Sequence, residues 1–151
     1  MSCSERLAVL LAALLVGGGA QAALDEPAQS LEAEAARLGA THRLDAGTRV
    51  HLLQWRDGSQ VRQYEGSDGR VYALAWNSRG KPPLARLLGR HYDSYAAAAR
   101  RSLQRRPGVH HRGSWREGDL VVESVANANA FVGRAYLVSK TPAGQGGDAI
   151  R

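Results

Sequence analysis

Between Arg100 and Arg116 stand six arginines (Arg100, Arg101, Arg105, Arg106, Arg112 and Arg116), with His110, His111 and Trp115, and not one carboxylate. Guanidinium groups grip phosphate and carboxylate oxygens through paired N–H donors, and an indole beside them can stack on a sugar, a base or another guanidinium. Such a composition points to recognition of an anion. The bland reading of the same residues is a solvated helix face whose Arg stems cover apolar surface. A basic stretch of this kind is ordinarily a nucleic-acid footprint, but the export argued below makes nucleic acid an unexpected partner. Lipopolysaccharide phosphates, anionic lipid headgroups, acidic glycans or an acidic protein partner take its place.

His110 and His111 are weak metal candidates. Adjacent strand residues point to opposite faces, so only an irregular loop brings both to one ion, and neither H-x-H nor H-E-x-x-H spacing occurs nearby. A solvated loop pair is the preferred reading. With Ser114 and Asp119 they also supply the materials of a small hydrolase, the alternative enzymatic reading. Against it, no G-x-S-x-G elbow, Walker loop or dinucleotide fingerprint follows residue 22. Asp57, Asp68 and Asp119 lie in or beside turns, where Asp commonly serves backbone hydrogen bonding. No catalytic residue and no cofactor is expected. Trp115 is the aromatic most available to a ligand, because the other eight fall on expected strands or on the inward stripe of a helix.

Positioning these residues takes one domain, which is what 151 residues with 44% apolar and 23% charged content allow. Arg6, the unbroken apolar run Leu7 to Val16 and the small residues of Ala20-Gln21-Ala22 have the three parts of a secretory signal peptide, with the cut after Ala22. An uncleaved membrane anchor is the competing reading, weakened by Gly17-Gly18-Gly19 and Gln21. Cleavage removes Glu5 and Arg6 together, so the net charge of +6 is unchanged, and it removes the single Cys and the single Met. Without thiols, disulfide exchange and cysteine catalysis are excluded. A periplasmic or otherwise secreted location in a Gram-negative envelope follows, with no transmembrane segment after the cut.

Leu24 to Thr41 reads as an amphipathic or frayed helix stopped by Gly39. Val50 to Trp55, Gln60 to Glu65 and Arg70 to Trp76 read as strands, joined by two Asp-Gly turns too short for anything but antiparallel pairing. From Leu84 to Leu103 apolar residues recur at spacings of three and four, the stripe of a helix that Gly89 interrupts and Pro107-Gly108 ends. Residues 109–118 read as a basic loop, and Asp119 to Val125 and Ala130 to Val138 as two final strands. The expected fold class is α+β: an antiparallel β-meander of three strands, a long helix and two further strands, with the helix packed on one sheet. The expected layout is a signal peptide over 1–22, a helical or flexible leader over 23–44, the domain over 45–140 and a C-terminal tail over 141–151.

Several of these segments together resemble one family. They are Val61-Arg62-Gln63-Tyr64, Gly69 to Trp76, Leu87 to Tyr95, Asp119 to Ser124, Ala130 to Leu137 and the closing Asp148-Ala149-Ile150-Arg151. They are similar to the Domain of Unknown Function 2844 family of exported bacterial proteins, over roughly residues 45–151. Gly133 to Leu137 (GRAYL) and the closing Ile-Arg are the most specific parts. Ala126 to Asn129 departs from the pattern, standing where a Gly-rich turn is expected. The resemblance implies an envelope-directed domain and supplies no catalytic residues. An anion-binding accessory domain is the leading expectation; a small hydrolase or a purely structural envelope component are the alternatives.

Overall fold

Both Asp-Gly turns close hairpins. Asp57 Oδ1 accepts the Ser59 backbone N–H at 2.8 Å, and Asp68 Oδ1 accepts that of Arg70 at 3.0 Å. In the computed structural model, which describes residues 23–105 and 112–151, these turns join β2 (Val50–Gln54), β3 (Gln60–Glu65) and β4 (Val71–Ser78), with β1 (Thr41–Leu44) pairing ahead of them. After the helices come β5 (Arg112–Glu117), β6 (Leu120–Ala126) and β7 (Phe131–Leu137). Asn127 Oδ1 holds the last turn by accepting the N–H groups of Asn129 and Ala130. Strand β7 returns to the middle and pairs with β4, giving one seven-stranded antiparallel sheet in the order β1-β2-β3-β4-β7-β6-β5.

The class is therefore α+β, but the strand count corrects the meander expected from sequence: four strands precede the helical stretch that begins at Leu84, and three follow it. Strand β1 lies within the stretch read as leader, after a short α1 (Leu31–Arg37). Strand β5 lies within residues 109–118, read as a loop. Both are edge strands, largely exposed: only His42 of β1 and Gly113 and Trp115 of β5 are partly buried, so too few apolar residues mark either strand in the sequence.

The expected long helix is also divided. Helix α2 (Leu84–Leu88) gives way to a 3₁₀ turn at Gly89–His91, and α3 (Tyr92–Arg105) follows. Gly89 has φ 51°, and a Cβ there would stand 2.7 Å from Ala23 Cβ, so both conformation and space require glycine. Only Leu87, Leu88 and Ala98 of the stripe are buried, while Leu103 is exposed. Helix α3 meets the sheet at β5, where Tyr95 and Trp115 pack edge to face with ring centres 5.4 Å apart.

The sheet has apolar residues on both sides. Leu24, Leu31, Leu53, Val61, Leu74, Trp76, Leu87, Leu88, Val122 and Leu137 form the main core on the helix side. The residues just past Ala22 belong to it: Leu24 N–H donates to the Leu87 carbonyl at 2.9 Å, and Asp25 N–H to that of Val71 at 2.7 Å. Buried Asp25 pairs with Arg90, and with Lys140 at 2.5 Å. On the opposite side Tyr72, Ala73 and Ala75 pack against Ile150, so the C-terminal segment covers part of that face. No helix of the described residues is long and apolar enough to cross a membrane.

Candidate functional site

Strand alternation divides the Arg-rich stretch between two surfaces. Arg112, Ser114 and Arg116 stand opposite Val125, Glu123 and Val121 of β6, on the face turned away from the helices; Gly113, Trp115 and Glu117 turn toward α3. On the helix side, Arg101 Nη2 donates to Glu117 Oε2 at 2.7 Å, tying α3 to β5. Arg100 is exposed, and Arg105 ends α3. Arg106, His110 and His111 lie outside the described residues. Trp115, expected from sequence to be the aromatic most available to a ligand, is half-buried against Tyr95, its indole N–H enclosed without a partner among the described residues. The indole lies over Gly113, where a Cβ would come within 1.9 Å of the ring.

The open face gathers cations from distant parts of the chain. Register places Arg62, Ala75, Arg134, Glu123 and Ser114 in one row across β3, β4, β7, β6 and β5. Arg134 Nε donates to Glu123 Oε2 at 2.5 Å, and its other nitrogens reach the Gly147 carbonyl and, at 3.3 Å, Asp148 Oδ1. Arg62 Nη1 and the Tyr64 hydroxyl donate to the Arg151 carbonyl at 2.9 and 2.7 Å. Between these groups lies a cavity of about 600 Å³ lined by Arg62, Ala75, Arg112, Val125, Val132, Arg134 and Ile150, among others.

A second cluster escaped the sequence reading. His51 Nε2 lies 2.9 Å from Glu65 Oε2, and His51 Nδ1 lies 3.0 Å from His42 Nε2, forming a hydrogen-bonded chain from β3 through β2 to β1. The imidazoles stack with centres 5.2 Å apart. Burial, then the neighbouring His51, push the His42 pKa down, while Glu32 opposes them. Gln63, opposite His51 in the register, is fully buried with both amide atoms unpartnered among the described residues. Recognising β1 as a strand would have exposed the pair, because a hairpin joining it to β2 brings residues 42 and 51 together.

Asp119, assigned to the alternative hydrolase, caps a turn: its two carboxylate oxygens accept the Ser139 backbone N–H at 2.7 Å and its hydroxyl at 2.6 Å. Among the described residues no three His, Cys, Asp or Glu side chains are grouped to hold a metal ion.

A family model described as a protein of unknown function (DUF2844) matches residues 20–150. The chain belongs to the DUF2844 family. Comparison with curated proteins and with solved structures finds no match. In this DUF2844 domain the most specific parts of the resemblance, Gly133 to Leu137 and the closing residues, form one joint between sheet and C-terminus. Gly133 leaves room for the Trp76 indole, and Arg134 grips Gly147 and Asp148. Ala135 and Leu137 fill the main core, while Ile150 fills the opposite one.

Proposed function

We propose that this DUF2844 domain is an exported, periplasmic binding module without catalytic activity, and that it contacts an anionic envelope component or acidic protein along the β5 edge. One observation carries the reading. Edge strand β5 has exposed Arg112 and Arg116 on one side and, on the other, exposed Arg101 of α3 held at the edge by Glu117, the single carboxylate within Arg100–Glu117. Exposed guanidinium groups converging on an edge from both faces give bidentate donors to phosphate or carboxylate at little desolvation cost. Export rests on the apolar run Leu7 to Val16 and the small residues before Ala23. Built into the core, Ala23 and Leu24 make a cut after Ala22 compatible with a complete fold.

Two measurements test this. Sedimentation with vesicles rich in anionic lipid, or with lipopolysaccharide, should show the Arg112→Ala/Arg116→Ala variant binding about thirtyfold more weakly, at about 1 kcal/mol for each basic residue near an anionic surface. Equal binding by variant and wild type rejects the β5 edge as the contact. Terminal sequencing of the cellular protein should begin at Ala23, and an intact Met1 in the cytoplasm rejects export.

A further inference from the structure

We infer that the cavity on the open face is a site for a single-chain amphiphilic carboxylate of the fatty-acid type. Arg112, Val125 and Val132 are successive members of one row across β5, β6 and β7. Neighbouring strands lie about 4.8 Å apart, so the row runs roughly 10 Å from cation to far valine. The two valines are 36% and 43% exposed and directly opposed. Buried Ala75 and Ile150 line the cavity beside this row, which continues to Asn77 of β4. Arg134 is already engaged by Glu123 and Asp148, and Arg62 gives one nitrogen to Arg151. Arg112 alone among these three has no hydrogen-bonded partner among the described residues, so it is the group that would receive the carboxylate.

The volume of about 600 Å³ falls within the usual range for small-molecule sites, and a mainly apolar lining with a few orienting charges is their usual chemistry. A polymeric anion would use the guanidinium groups and leave the valine floor empty. A neutral hydrocarbon would do the reverse. An acyl chain ending in a carboxylate uses both, with the head on Arg112 and the chain lying over Val125 and Val132 toward Asn77. This inference goes beyond the β5-edge reading and shares only Arg112 with it.

Calorimetric titration of the full domain with monomeric decanoate, decanol and acetate tests it. Saturable one-to-one binding of decanoate is expected, with decanol and acetate at least about tenfold weaker. Arg112→Ala should weaken decanoate about tenfold, and Val132→Glu, at an exposed site that tolerates the change, should abolish binding while the circular dichroism spectrum stays the same. Arg100→Ala/Arg116→Ala should leave decanoate untouched while impairing vesicle binding, which separates the two sites. Decanol or acetate binding as tightly as decanoate, loss of decanoate in the Arg100/Arg116 variant, or no decanoate binding by the wild type overturns the inference, and none of these results bears on the edge itself.

Discussion

Replacing Gly133 by Ala adds one methyl group at the crossing of β4, β7 and β6, and its cost follows from two distances. The new Cβ would lie 2.3 Å from Trp76 Cζ2 and 2.5 Å from the Glu123 carbonyl oxygen. Comfortable carbon contacts begin near 3.5 Å, so both approaches overlap by about 1 Å. Neither neighbour yields easily. The indole is 2% exposed in the main core, and the carbonyl belongs to the ladder between β6 and β7. Overpacking of this kind costs about 3 kcal/mol, from which the reduced entropy of the unfolded chain returns about 0.5 kcal/mol. A net loss of about 2.5 kcal/mol is a large part of the stability of a small domain. Urea unfolding followed by circular dichroism should show the midpoint fall with an unchanged slope. Gly146→Ala is the control, since its φ is −73° and nothing stands within 4 Å of the added group. Equal midpoints for the two variants would refute the steric reasoning.

The closing Ile150 is 3% exposed against Tyr72, Ala73 and Ala75. Ile150→Ala should cost about 3 kcal/mol and open the C-terminal segment to carboxypeptidase trimming; trimming no faster than wild type would show that the segment is not held there. Stability should also fall with acidity. The His42 pKa is lowered first by burial and then by His51, and His91 is lowered by burial and Arg90, so the unfolded chain takes up protons that the folded chain refuses. Their contribution is complete above the ordinary imidazole value of 6.5 and is lost as pH falls through it toward the lower folded values. His42→Gln should flatten the loss of stability between about pH 7 and pH 5, and identical slopes would contradict the account.

Local chemistry was legible in the sequence. Asp57-Gly58 and Asp68-Gly69 announced their hairpins, and the break at Gly89 was visible in the helical stripe. The hidden features depended on pairing between distant segments. Strands β1 and β5 take their identity from a neighbour's hydrogen bonds rather than from buried side chains of their own. That Arg112 and Arg116 share a face with Arg62 follows only once β7 pairs with β4, because this contact fixes the order of the whole sheet. Trp115 looked free because it has no periodic partner within its own segment; its partner, Tyr95, sits on α3. Gly and Pro in residues 141–151 suggested only a tail, and composition gave no sign that Ile150 would fill a core.

The most direct test of anion recognition along the β5 edge is the salt dependence of binding to anionic vesicles. Contacts between exposed guanidinium groups and surface phosphates are screened within about 8 Å at physiological ionic strength and within about 3 Å at 1 M salt. Affinity should therefore fall steeply and continuously as salt is raised, with a shallower slope for Arg112→Ala/Arg116→Ala. Binding that persists undiminished at 1 M salt, or a slope unchanged by those substitutions, would contradict the account.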